Sequence, residues 1–244
     1  MDRAESAVRD GGSPGRAYAL AGFGVVLLLA GSWIGLFRAP RETYMGDVQR
    51  IMYVHVPTAW NTLLAFTYSF ACALAFLVRG GWKWDSRLEA SLEVGLTLAC
   101  LTLVQGSIWA KPAWGVWWDW DPRLTTTAIM ALAFGGIVAL RHFVGDPVKR
   151  AVWAAVATIL AFVDVPIVYF SVRWWNSLHQ VQSTPETVSA AFVTPLRVNA
   201  FGMLFLMSGL IMLRTRLAAL RLRGELAPPL PETGRMEYAV QGAR

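Results

Sequence analysis

Two histidines and a crowded set of tryptophans are the side chains whose chemistry most needs an explanation in this sequence. It has three histidines, His55, His142 and His179. Of its twelve tryptophans, five (Trp109, Trp114, Trp117, Trp118 and Trp120) fall between positions 109 and 120. A neutral imidazole nitrogen is an axial ligand for haem iron, and two histidines from separate segments can clamp one porphyrin from its two faces. The competing account is an interfacial imidazole that hydrogen-bonds to backbone or lipid headgroups. Zinc is the weaker metal reading, because no third and fourth Cys or His ligand stands at a suitable spacing.

Indoles offer broad, flat, apolar faces with few rotatable bonds, suited to the edge of a bilayer or to a planar ligand. An aromatic belt accounts for Trp33, Trp60, Trp82, Trp84 and Trp153. It accounts less well for the 109–120 group, which is interleaved with Asp119 and Asp121 and followed by Arg123. Trp174 and Trp175 repeat the pattern on the approach to His179. Arg50 and Arg123 stand in the same segments. A guanidinium pairs with carboxylates such as haem propionates, and ordinary snorkelling to the interface is the alternative.

These residues must be positioned by membrane-spanning helices. Hydrophobic residues make up 55% of the 244, and mean hydropathy is positive. Six apolar stretches, near 17–37, 58–78, 88–110, 124–143, 151–171 and 197–213, are each long enough to cross a ~30 Å hydrocarbon core as a helix. No alternating ten-residue strands suggest a membrane barrel. The expected organisation is an all-α polytopic protein with a leader at 1–16, a six-span domain at 17–215 and a flexible polar tail at 216–244. The first stretch lacks a small-x-small cleavage pattern and reads as a retained span. Six spans put both termini on one side. That side carries 15 of the 22 Lys and Arg and the other side 7, which makes the termini cytoplasmic and the Trp-rich loop 111–123 periplasmic. On this scheme His55, the Trp-rich loop and His179 share one face, while His142 lies on the other.

The remaining features narrow the class. Cys72 and Cys100 lie inside spans, with no Cys-x-x-Cys and no haem-attachment Cys-x-x-Cys-His. No phosphate loop is present, so the chain does not hydrolyse nucleotides by one. The formal charge of +6 suits membrane orientation and calls for no nucleic acid. Gly31 and Gly35, four apart in the first span, permit close helix contact. Asp164 lies within the fifth span, two residues before Pro166. Its expected part is structural, a protonated carboxyl donating to a carbonyl freed by that proline, against the functional default for an intramembrane carboxylate. Glu89 and Glu93 are expected to be solvated or paired at the cytoplasmic end of the third span.

Three segments then carry a family resemblance: Arg50-Ile-Met-Tyr-Val-His-Val-Pro57, Trp114-Gly-Val-Trp-Trp-Asp-Trp-Asp-Pro-Arg-Leu-Thr125 and Ser171-Val-Arg-Trp-Trp-Asn-Ser-Leu-His-Gln180. The second contains the Trp-Trp-Asp (WWD) signature of haem-handling membrane proteins. With these segments and six spans, the chain resembles the haem-handling protein C family of bacterial cytochrome c maturation, CcmC, over about residues 17–215. The resemblance implies haem b held at the periplasmic face of the bacterial inner membrane, with His55 and His179 as axial ligands. It implies delivery to a membrane-anchored haem chaperone (CcmE-like). It also implies association with an ABC-type transporter of ATPase and membrane subunits (CcmA-like, CcmB-like) and with a small single-span protein (CcmD-like). It implies no enzyme activity of the chain's own. The expected site is His55 and His179 on the iron, with Trp114, Trp117, Trp118 and Trp120 as an apolar platform. Arg50 and Arg123 face the propionates, and Asp121 orients Arg123 or the loop. The rival readings are a haem-attachment enzyme with the same signature, generally a longer chain with more histidines, and a b-type membrane oxidoreductase, which would pair histidines at two depths. A permease subunit with an aromatic belt is a third.

Overall fold

The computed structural model describes residues 13–179 and 189–227. Among these the chain is helical, with a single isolated bridge between Glu42 and Gly46. The helices are α1 (Pro14–Phe37), α2 (Met52–Arg79), α3 (Trp82–Trp114), α4 (Pro122–Phe143), α5 (Pro147–Ala161), α6 (Asp164–Trp174) and α7 (Ala190–Leu226). A short 3-10 turn, Asp47–Ile51, leads into α2. The fifth span is α5 and α6 together, so among the described residues six helical units are long and apolar enough to cross a membrane.

The helix boundaries follow local chemistry. Ser13, Asp121 and Asp146 each cap a helix whose first residue or two include proline, accepting from backbone N–H groups of the first turn. Gly115, at φ 82°, ends α3 in the left-handed conformation that other residues avoid. The Trp-rich loop therefore shrinks to 115–121, and Trp114 stands on the last turn of α3. Likewise α2 begins well before position 58, so His55 is a helical residue and not part of the preceding loop. At the other end α7 continues to Leu226, past the expected domain limit at 215. The expected leader and tail otherwise fall largely outside the described residues.

Residue size and hydrogen bonding decide which helices touch. α1 packs along α7, and the glycines of α1 allow it: a Cβ at Gly24 would lie 2.4 Å from the Leu206 amide nitrogen, and one at Gly31 2.3 Å from Asn199 Oδ1. Gly35 makes the same kind of room for the Tyr53 ring. Pro57 leaves the Tyr53 carbonyl of α2 without its helical donor. Asn199 of α7 supplies one, its Nδ2 donating to that carbonyl at 2.7 Å. In the core, Phe66 and Phe134 stack 3.7 Å apart between α2 and α4.

The end remote from the Trp-rich loop is held by ion pairs. Buried Arg141 of α4 donates to Asp85 at 2.7 and 3.1 Å and to Glu89 at 2.5 Å on α3. Arg214 of α7 pairs with Glu93, and Arg150 of α5 with Glu225. Glu89 and Glu93 are thus paired rather than solvated. Removing one partner of the buried Arg141–Asp85 pair costs more than the pair contributes, because the charge left behind is desolvated.

The fifth span departs from expectation. It breaks at Phe162–Val163, where the chain tightens into i→i+3 turns: Val163 N–H donates to the Leu160 carbonyl, and Val165 N–H donates to that of Phe162. The carbonyl that Pro166 would have left bare is therefore met by backbone. Asp164 Oδ2 is buried without a partner among the described residues, so Asp164 does not make the donation expected of it there.

Candidate functional site

At the Trp-loop end of the bundle, α2, α3, α4 and α6 surround a cavity enclosing about 930 Å³ of space not filled by protein atoms, part of it open to the outside. Its walls are mainly apolar, with Val56, Leu63, Leu103, Leu124, Met130 and Val168 among them, and Thr62 and Thr102 meet at 3.2 Å within it. His55 of α2, Arg123 of α4 and His179 of the segment following α6 all line it. Two of the three histidines thus reach one cavity from chain positions far apart. His142 is remote, its Nδ1 lying 2.8 Å from the Val138 carbonyl of its own helix.

His179 is held by Asp121, whose carboxylate organises two segments at once. Oδ1 accepts from the Arg123 and Leu124 amides at 2.9 and 3.4 Å, starting α4. Oδ2 accepts from Ser177 Oγ and the Leu178 amide, both at 2.7 Å. Oδ1 also lies 3.1 Å from His179 Nδ1. Burial alone would push the Asp121 carboxyl up, but the bonds from Ser177 and Leu178 and the nearby imidazole outweigh it and hold it below the ordinary carboxylate value. An ionised carboxylate only accepts, so Nδ1 of His179 must carry the hydrogen and Nε2 the free lone pair. The imidazole itself sits below the usual histidine value: burial lowers it most, the Arg123 charge lowers it further, and Asp121 opposes both. A neutral ring with a free Nε2 is the ligand form.

His55 is fixed by packing. A Cβ at Gly106 of α3 would stand 3.1 Å from His55 Cε1, so a larger residue there would press on the ring and require it to shift by a few tenths of an ångström. Its Nδ1 is buried with no hydrogen-bond partner among the described residues. A buried imidazole nitrogen left without a partner is a cost, and the residue that carries it lines the cavity.

The other expected site residues are distributed differently. Arg123 Nη2 donates to the Tyr169 carbonyl at 3.2 Å, and Asp121 does not hold the Arg123 side chain. Arg50 does not line the cavity. It donates to Asp47 at 2.8 Å and to the Gly35 carbonyl at 2.5 Å, tying the 38–51 segment to the end of α1. Trp114 stands edge-on to the His179 ring, 5.0 Å between centroids, and to Trp109 at 4.8 Å. Trp118 and Trp120 meet edge to face at 5.9 Å. Trp117 and Trp120 are 59% and 78% exposed, and none of these loop tryptophans lines the cavity. The aromatic wall comes instead from Trp60 and Tyr169. Trp60 reads as belt in sequence, one helical turn and a half past His55, and nothing in the sequence singles out Tyr169.

The architecture defines a multi-pass helical membrane protein with a histidine-lined cavity at one end of its bundle. A sequence profile for heme exporter protein C matches residues 14–227. The heme exporter protein C of Bradyrhizobium diazoefficiens is 36% identical over 207 residues, covering 81% of this chain and 78% of the relative. That of Escherichia coli K12 is 33% identical over 218 residues, covering 83% and 86%. A putative cytochrome c biosynthesis ccmC-like mitochondrial protein of Marchantia polymorpha is 30% identical over 203 residues, covering 82% and 86%. The chain belongs to the heme exporter protein C family.

Proposed function

We propose that this protein binds haem b in the cavity between α2, α3, α4 and α6 and hands it on during cytochrome c maturation. Family membership supports haem handling in that process by a transporter-type membrane component rather than an enzyme. The observation that carries the site is the convergence of His55 and His179 on one apolar cavity, with Asp121 leaving the His179 Nε2 lone pair free.

In this reading haem is the cargo. His55 Nε2 or Nδ1 and His179 Nε2 take its iron from opposite faces, the apolar walls cover the ring, and Arg123 draws a propionate to the outer mouth. Trp114 buttresses His179 from behind. Trp117, Trp118 and Trp120 form an apolar apron outside the cavity, where the leaving haem is covered on its way to an acceptor. Arg50 serves by anchoring the segment that enters α2. The acceptor is a membrane-anchored haem chaperone, and the chain works beside an ABC-type ATPase, its membrane subunit and a small single-span protein. The Trp-rich face is periplasmic and the membrane is the bacterial inner membrane, as the Lys and Arg asymmetry supports.

Titration of the purified protein with haem tests the site. Wild type and His142→Ala are expected to give a six-coordinate, low-spin spectrum. His55→Ala and His179→Ala are expected to give five-coordinate haem or none. Loss of haem in His142→Ala with wild-type spectra for the other two variants defeats the assignment.

A further inference from the structure

Among the described residues, the least packed side of the cavity lies between α2 and α6. Four helices ring the cavity, so there are four seams. α2 packs on α3, α3 on α4 and α4 on α6, whereas α6 and α2 touch only sparsely. The reason is the break at Phe162–Val163. Below it α5 lies against α2, and at the junction Phe70 of α2 stacks on Phe162 at 4.2 Å. Beyond the break α6 follows α4 instead, and the seam with α2 parts. The cavity runs along α2 from Met52 to Leu63, about 16 Å at ~1.5 Å per residue, or roughly half of a ~30 Å hydrocarbon core.

The open seam is edged by Val56, Ala59, Trp60 and Leu63 on α2 and by Val168 and Tyr169 on α6. No charged residue is among them. Trp60 and Tyr169 are 37% and 41% exposed while also lining the cavity, so each ring stands between cavity and surroundings. Arg123 and His179 stand together at the Trp-loop end, and Thr62, Thr102 and Met130 lie deep. A flat amphiphile dissolved in the adjoining leaflet has the same arrangement, with carboxylates at headgroup level and its ring in hydrocarbon. It can slide through the seam without either part changing solvent.

We propose that haem enters the cavity laterally from the leaflet on the Trp-loop side, between α2 and α6, with Trp60 and Tyr169 as the gate. This rests on the haem-site reading above. The break at Phe162–Val163 is then the element that builds the entrance.

The test uses the full chain in phosphatidylcholine–phosphatidylglycerol vesicles, with Cys72 and Cys100 replaced by alanine. A nitroxide is attached after Trp60→Cys, Tyr169→Cys or Leu132→Cys, the last a lipid-facing control, 77% exposed. Molecular oxygen is expected to relax the labels at 60 and 169 more than a water-soluble nickel chelate does. Ferric haem added to the vesicles is expected to relax them further than it relaxes the control. In the unlabelled chain, Trp60→Ala and Tyr169→Ala are expected to raise the rate of haem uptake on the order of tenfold, as a ~1.4 kcal/mol lower barrier gives, and the rate of haem loss by at least that factor, since both rings also line the cavity. A gate changes both rates, whereas a mere contact changes loss alone.

Greater relaxation by the nickel chelate at 60 and 169 overturns the proposal. So does haem that binds yet relaxes the gate labels no more than the control, which marks a seam filled by lipid tails only. A change confined to the loss rate also overturns it. Failure of the haem site itself is distinguishable, because wild-type haem spectra after His55→Ala and His179→Ala would remove the ligands while leaving the oxygen and nickel measurements to report the entrance.

Discussion

Replacing Asp121 by asparagine isolates the carboxylate's hold on His179. Asparagine caps helices about as well as aspartate, so the start of α4 is expected to survive. What is lost is acceptor capacity. Asp121 accepts from the Arg123 and Leu124 amides and from His179 Nδ1 through one oxygen, and from Ser177 and the Leu178 amide through the other. An amide has only one oxygen. If it keeps the cap and His179, its NH2 faces the Leu178 N–H, donor against donor. If it flips, the cap and His179 lose their acceptor. Either way a backbone or ring donor goes unpaired, at about 1–3 kcal/mol. Charged to the segment that carries His179, that is roughly a 5- to 150-fold weaker haem complex, a range that brackets the ~10–100-fold typical of groups that orient a metal-binding histidine. Haem titration in detergent followed by absorption reads the affinity, and circular dichroism checks the helices. The expected result is weaker haem with part of the spectrum five-coordinate and helix content unchanged. Asp121→Ala, which removes all five acceptor bonds, should be worse. Wild-type affinity and a fully low-spin spectrum in Asp121→Asn would refute the claim that this carboxylate sets the imidazole.

Three further outcomes are expected. Gly106→Val pushes a branched side chain into the His55 ring, whose Cε1 would already be 3.1 Å from the first added carbon; overpacking of ~1–3 kcal/mol should reduce haem affinity, less in Gly106→Ala, with expression unchanged. Asn199→Leu leaves the Tyr53 carbonyl without the donor that Pro57 cannot supply, so a loss of about 1–3 kcal/mol should appear as a lower midpoint of thermal unfolding. For acid, the sign follows from two groups outside the spans. His179, held below its ordinary value, is neutral in the fold, so stability of the haem-free protein should fall as pH drops below about 6.5, where the unfolded chain takes a proton first. Asp121, also held low, adds stability that is present above the ordinary carboxylate value and lost as pH falls through its own. Thermal unfolding against pH should show His179→Ala lacking the upper part of that decline.

The six spans, the all-helical class and the pairing of His55 with His179 on one face were legible in the sequence, because apolar length and span parity are properties of the chain order itself. Helix ends were read too short wherever aromatic or charged residues extend a helix beyond the apolar run. That is why His55 and Trp114 prove to be helical. The Trp-rich loop drew attention by composition, yet composition does not say which way an indole faces: Trp114 supports His179, while Trp117 and Trp120 point outward. Trp60 and Tyr169 carried no signal of their own, since a single aromatic residue near a span end is common.

What the order of residues determined by itself was local or counted along the chain: the spans, the caps at Asp121-Pro122 and Asp146-Pro147, the stop at Gly115, and the family motifs. Only the tertiary structure could decide that Asp121 serves His179 58 positions away, that Asn199 meets the carbonyl freed by Pro57 in another helix, and that Gly106 makes room for His55. It also decided that the break at Phe162–Val163 parts α6 from α2. Each is a contact between groups distant in sequence, and such contacts depend on how helices rotate and cross once packed, a property of whole faces in competition and not of any one segment's pattern.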